Sequence, residues 1–171
     1  MSKKKVERLL VSVSEGDEEA FEELYMCTRR GVFAFLYAYM HNYHDAEDLM
    51  QSVYLKIKMN ISSYTQNGSG LAWILQIAKN LALNELSKKK RQIDAEDRDI
   101  ADDTPFEYGA VADIMYRCLS EDEQRIIILH VIYGYKHREI GKILGIPLGT
   151  VTSKYKRAIE KLKAEIRRCD K

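Results

Sequence analysis

Several groups of polar side chains have types and spacings that suit chemistry or recognition. Thr150, Thr152, Ser153, Lys156 and Arg157 fall on the polar side of one helical stretch, with Lys154 beside them. Hydroxyls, lysines and arginines in that arrangement can pair with base edges and phosphates. His41, His44, Asp45 and Asp48 stand at i, i+3, i+4 and i+7, a spacing that on one helix would gather four metal ligands. No second segment offers the Glu-x-x-His set of a carboxylate-bridged dimetal bundle, so the simpler reading is a histidine-rich helix junction. Asp45, Asp48 and Ser52 share one side of a helix, with Gln51 adjacent. That set suits pairing with a basic partner helix, or reduces to helix capping by Asp45 alone. There is no phosphate-binding glycine loop and no nucleophile elbow. The expectation is a protein that is not an enzyme, with no catalytic residue, metal or cofactor.

The elements that must position these residues are helices. Asp17 is the expected N-cap of a helix carrying Phe21, Leu24, Tyr25, Thr28, Val32, Phe35, Leu36 and Tyr39 at helical spacing. Asp45 is the expected cap of a second, whose apolar side is Leu49, Met50, Val53 and Ile57. The polar stretch Ser62 to Gly70 reads as a loop. A third helix from about Leu71 to Lys90 turns Ile74, Ile77, Ala78, Leu81 and Glu85 inward. Further on, Ser120 and Glu123 form a capping box, and Gly134 is a natural helix stop. His137 to Leu144 makes a short helix, Gly145-Ile146-Pro147 a tight turn, and Leu148 onward a long helix. Its apolar stripe is Val151, Tyr155, Ala158, Ile159, Leu162 and Ile166. Short helix, glycine turn and long basic helix have the spacing of a helix-turn-helix. A plain three-helix bundle with a solvated basic face is the alternative from periodicity alone.

The 171 residues suffice for two small all-α domains, and only two prolines and nine glycines interrupt the helical pattern. No apolar run approaches the roughly 20 residues of a membrane span, and no signal core follows the basic N-terminus, so a cytoplasmic protein without membrane insertion is expected. Cys27, Cys118 and Cys169 lie far apart, as reduced thiols would. The net charge of +1 conceals strong segregation. Asp94 to Glu107 is acidic, while Lys88-Lys89-Lys90-Arg91 and the C-terminal stretch are basic. Residues 93–110 break periodicity and read as an acidic linker between domains 1–92 and 111–171; extended, it would reach on the order of 60 Å.

Gln124-Arg125, Glu139-Ile140-Gly141, Gly145-Ile146-Pro147-x-Gly149-Thr150-Val151-x-Ser153 and Arg157-Ala158 together resemble region four of the extracytoplasmic-function sigma factors of RNA polymerase. Gly16-Asp17-x-x-Ala20-Phe21-x-x-Leu24-Tyr25, Asp45-Ala46-Glu47-Asp48-Leu49-x-Gln51 and Ala72-Trp73-Ile74-x-x-Ile77-Ala78-Lys79-Asn80 are similar to region two of the same family. The resemblance implies a promoter-recognition subunit that binds core RNA polymerase and promoter DNA, with a dedicated anti-sigma factor as a further partner. It implies minus-thirty-five contacts by Thr150, Thr152, Ser153, Lys154, Lys156 and Arg157. It implies minus-ten contacts and melting by Gln76, Lys79, Asn80, Asn84 and Lys88, and polymerase contacts by Asp45, Asp48, Leu49 and Gln51. In this family the loop Ser62 to Gly70 would hold a base flipped from the non-template strand, and Trp73 would be core more than stacking platform. Asn84 stands for a common aspartate, Gly70-Leu71 for an aromatic or basic approach, and Thr152 for a frequent basic residue. Gly141 stands for the usual alanine, which should loosen helix packing slightly.

The acidic linker would mimic RNA charge in the polymerase cleft, or act as a solvated spacer. The competing function is a dimeric helix-turn-helix regulator without polymerase binding, which leaves the Asp45 and Trp73 motifs unexplained.

Overall fold

A computed structural model describes residues 2–66, 69–93 and 110–169, with side-chain environments for 2–66, 69–91 and 114–168. The expected linker therefore lies almost wholly outside the described residues, as does the side chain of Cys169. Contacts divide the chain into two compact units, Met1–Asp102 and Asp103–Lys171. Among the described residues the secondary structure is helical throughout, with no strand.

The N-terminal unit contains α1 (Lys3–Ser14), α2 (Glu18–Met40), α3 (Tyr43–Asn60) and α4 (Gly70–Ile93), with a single 3-10 turn at Ile61–Ser63. Helix α2 packs against each of the other three, because it buries a wide face: Leu24, Thr28, Val32, Phe35, Leu36 and Tyr39. Leu49, Val53 and Ile57 of α3 and Ile74, Ala78 and Ala82 of α4 complete the core. Each large side chain withdrawn from water contributes about 1.5–3 kcal/mol. The buried hydroxyls of Thr28 and Tyr54 meet at 2.7 Å, and Thr28 also donates to the Leu24 carbonyl at 2.6 Å.

Asp17 caps α2 as expected, its Oδ1 accepting from the Ala20 amide at 3.0 Å. Asp45 does not cap α3. The cap is Asn42, whose Oδ1 accepts from the Asp45 amide at 2.9 Å, because α2 ends at His41 in the left-handed region (φ 50°) and α3 begins at Tyr43. His41 is thus on neither helix, and the four spaced metal-ligand candidates do not share one helical face. Helix α1 makes a fourth helix before the acidic stretch, and Val6, Leu9, Leu10 and Val13, which recur at i, i+3, i+4 and i+7, are buried.

The C-terminal unit contains α5 (Ala110–Cys118), α6 (Glu121–Ile127) continued by a π-helical turn at Ile128–Ile132, α7 (His137–Leu144) and α8 (Leu148–Cys169). Helix α8 packs on α5, α6 and α7, through Val151 and Ala158 in the core and half-buried Tyr155, Ile159 and Leu162. Ile166 is exposed, so the apolar stripe leaves the core before its expected end. Buried Gln124 donates to the Leu119 carbonyl at 3.0 Å, tying α6 to the end of α5.

Candidate nucleic-acid interface

The turn between α7 and α8 is built by local chemistry. Gly145 takes the left-handed conformation (φ 76°) that ends α7, and both its amide and that of Ile146 donate to the Gly141 carbonyl, at 2.9 and 3.0 Å. A Cβ on Gly141 would lie 2.8 Å from the Ile146 carbonyl oxygen. Glycine here brings α7 against the turn, so the expected loosening is reversed: the missing methyl permits closer packing.

Helix α8 leaves this turn with Ser153, Lys156 and Arg157 exposed and Thr150 half-buried. Two of the six candidate DNA-contacting residues are held differently. The Thr152 hydroxyl donates to the Leu148 carbonyl at 3.0 Å and lies 3.3 Å from Nδ1 of His137 on α7. The Lys154 ammonium donates to Asp122 at 2.8 Å and is only 24% exposed. Asp122 also receives Arg125 at 3.0 Å, and the Lys154 hydrogen bond holds its carboxyl below the usual carboxylate range against the opposing effect of burial. At the next residue, burial pushes the Glu123 carboxyl upward. Lys161 at 2.7 Å and the Ser120 amide at 2.9 Å outweigh it, and the carboxyl lies below its ordinary value. These acids at the start of α6 fix the rotation of α8 about its axis. Thr150, Ser153, Lys156 and Arg157 remain as the outward set.

In the N-terminal unit, Gln76, Asn80, Asn84 and Lys88 are exposed on α4, and Lys79 is half-buried. The Gln76 amide donates to Asn80 Oδ1 at 2.8 Å, orienting both carboxamides, and Lys88 lies 3.4 Å from Glu85. The basic run at the end of α4 is partly committed inward, since Lys89 pairs with Asp45. On α3, Asp48 and Gln51 are exposed, while Leu49 is buried. Leu49, Leu81, Asn84 and Lys88 line a groove of about 330 Å³ between α3 and α4. The structure adds Leu55 and Met59, 62% and 71% exposed, on the same side of α3 as Asp48 and Ser52. Their sequence signal was their displacement from the buried Leu49–Val53–Ile57 stripe. These two exposed apolar side chains lie beside exposed polar ones on one helical face, where a partner protein could cover them.

The segment before α4 is anchored from α1. Buried Glu7 accepts from the Gly70 amide at 2.8 Å, which satisfies a helix-start donor. A Cβ at Gly70 would lie 2.6 Å from Leu10 Cδ1, 2.9 Å from Glu7 Oε2 and 3.0 Å from the Tyr64 hydroxyl. Burial, reinforced by Glu7, pushes the Tyr64 hydroxyl pKa upward. Trp73 is half-buried with its ring 5.1 Å from that of Tyr64, so it seals the base of the loop and is not part of the central core. Asn67 and Gly68 lie outside the described residues.

Residues 24–92 match the family description "Sigma-70 region 2" and residues 115–162 match "Sigma-70, region 4". The chain is 28% identical to the ECF RNA polymerase sigma factor SigW of Bacillus subtilis, covering 95% of this chain and 97% of that protein. It is 30% identical to the ECF RNA polymerase sigma factor EcfG of Rhodopseudomonas palustris, over 77% and 76%, and 27% identical to the ECF RNA polymerase sigma-E factor of Escherichia coli, over 94% of each chain. Among solved structures, the sigma factor RpoE of Bartonella quintana, in complex with the anti-sigma factor NepR, matches with a TM-score of 0.72 at 23% identity over 86% of this chain and 96% of that one. CnrH in complex with the cytosolic domain of CnrY matches with a TM-score of 0.64 at 16% identity, over 96% and 98%.

Proposed function

Since the chain belongs to the extracytoplasmic-function sigma factors of RNA polymerase, we propose a division of labour between its two units in transcription initiation. The C-terminal unit reads the minus-thirty-five element through Thr150, Ser153, Lys156 and Arg157, with Thr152 held toward His137 as a positioning contact. The N-terminal unit binds minus-ten DNA and assists melting through Gln76, Lys79, Asn80, Asn84 and Lys88. It docks on core polymerase through Asp48 and Gln51 of α3, joined by Leu55 and Met59. Asp45 and Leu49 act behind that surface, Asp45 by pairing with Lys89 and Leu49 by packing. The protein works by binding and not by catalysis.

The observation that carries this reading is the α3 strip. Acidic and amide groups lie beside two large exposed apolar side chains that the fold itself does not use. A basic, partly apolar partner helix fits it. One similar solved protein was captured with the anti-sigma factor NepR and another with the cytosolic domain of CnrY, and an anti-sigma factor covering the same strip would exclude polymerase. The site of action is the cytoplasm, where polymerase works; no described helix is long and apolar enough to cross a membrane.

The test is stable complex formation with bacterial core RNA polymerase, comparing wild type, Asp48→Arg and Met59→Asp. Asp48→Arg would set like charges together at the interface, which costs several kcal/mol, and Met59→Asp would bury an unpaired charge in an apolar contact, so loss of the complex in both variants is expected, with their helical content intact. Absence of binding by the folded wild-type protein would favour the dimeric regulator.

A further inference from the structure

Helix α1 precedes the region-two match, which begins at residue 24, yet it forms one wall of a groove of about 610 Å³ lined by Ser2, Lys3, Lys4, Glu7, Arg8 and Gln66. Three of these six are cationic. Lys4 and Arg8 are exposed one turn apart on α1, and so present two charges along one line. Lys5 points elsewhere and pairs with Glu23 of α2 at 2.6 Å. Glu7, the one acid of the lining, is 7% exposed and its carboxylate is bonded to the Gly70 amide. The negative charge thus lies at the floor, and the cations stand at the rim. Gln66 adds a carboxamide from the segment before α4.

The groove is rigidly referenced to the α4 surface. The Glu7–Gly70 hydrogen bond joins its floor to the first residue of α4, and Leu10 and Tyr64 pack closely against Gly70. Along α4, Gln76 and Asn80 lie about 9 and 15 Å from Gly70 at ~1.5 Å per residue. A strand held at Gln76 and Asn80 can reach the groove within a few nucleotides.

We infer that the α1 groove is a binding site for the phosphodiester backbone of single-stranded promoter DNA, with Lys4 and Arg8 neutralising phosphates and Gln66 donating a hydrogen bond. The inference rests on the minus-ten reading of α4 above and extends it to a helix outside the matched region. Its ligand is a melted strand because the groove adjoins the start of α4, whose exposed carboxamides Gln76 and Asn80 are proposed above to hold minus-ten DNA as it melts. Its contacts are to the backbone because its lining is cationic, with no aromatic platform for bases.

The experiment uses the full-length chain and a randomised-sequence single-stranded 20-mer, with the same pool as duplex for comparison. Binding is followed by fluorescence anisotropy at salt concentrations from about 50 to 200 mM. Each phosphate contact to a single strand contributes about 0.7 to the slope of log affinity against log salt. Lys4→Ala/Arg8→Ala should therefore lower the slope by about 1.4, so that the wild-type protein loses about sevenfold more affinity than the variant over that range. The duplex slope should change by much less. An unaltered single-strand slope, an equal loss on duplex, or no wild-type binding to the single strand would each overturn the proposal. Core polymerase binding by the same preparations separates this failure from failure of the sigma reading, since the two substitutions lie off the α3 strip.

Discussion

The pairing of Lys154 with Asp122 has a consequence for DNA binding that can be worked through in numbers. Asp122→Asn keeps the side-chain shape and one acceptor but removes the charge that holds the Lys154 ammonium at 2.8 Å. Asp122 is 42% exposed and Lys154 24%, so the pair is screened by water and contributes no more than about 1 kcal/mol to stability. The released ammonium adds one cation beside Lys156 and Arg157. One further phosphate contact on duplex DNA steepens the salt dependence by about 0.9, or about 3.5-fold in relative affinity between 50 and 200 mM salt. In the wild-type background Lys154→Gln should leave the slope unaltered, because the ammonium is already committed. In the Asp122→Asn background the same change should abolish the gain. Anisotropy titrations of a random-sequence duplex with the four proteins of this cycle, at several salt concentrations, provide the measurement. A slope lowered by about 0.9 on Lys154→Gln alone, with no change on Asp122→Asn, would refute the reasoning, since Lys154 would then already be on phosphate.

Gly141→Ala should destabilise the C-terminal unit by about 1 kcal/mol in urea unfolding. The overpacking cost against the Ile146 carbonyl, roughly 1–3 kcal/mol, exceeds the gain of ~1 kcal/mol in helix propensity; a more stable variant would show that the turn relaxes freely. Burial and the neighbouring His130 lower the His137 pKa, so the unfolded chain takes up a proton before the folded one does. The resulting stability is complete above the unfolded value of about 6.5 and is lost as pH falls through the lower folded value. Urea midpoints should drop between pH 7.5 and 5.5 and the drop should shrink in His137→Gln; an identical pH profile in the variant would contradict this. Tyr54→Phe should cost about 1 kcal/mol in chemical denaturation by deleting the buried 2.7 Å contact with Thr28, and a neutral result would mean that Thr28 is satisfied by the Leu24 carbonyl alone.

Much of this protein was readable without coordinates, for a reason common to each success. The Asp17 cap, the Ser120–Glu123 pair, the Gly145 turn and the limits of α7 depend on residues within four positions of one another, so local propensity decides them. The apolar periods of α2 and α3 likewise describe their own buried faces, whereas on α4 Ile77, Leu81 and Glu85 are only half-buried and Leu75 and Ala82 join Ile74 and Ala78 in the core. Where two local solutions competed, sequence could not choose. Asn42 and Asp45 can each cap a helix, and the choice fell to Asn42 because the chain turns at His41. Ile166 continues the α8 period, yet it is left exposed.

Assignment of polar residues to partners required the tertiary structure. Asp45 and Lys89 are 44 residues apart, Asp122 and Lys154 are 32 apart, and Glu7 and Gly70 are 63 apart. Each pairing withdraws a charge or an amide from a surface that composition alone would credit with it, and none leaves a periodic trace in the sequence. The sequence determined by itself the long helices α2, α3, α4 and α8 and the family they belong to, because both are written in short-range patterns. Only the fold decided which charges face outward, because a carboxylate thirty or sixty residues away can satisfy a cation or amide as fully as DNA can.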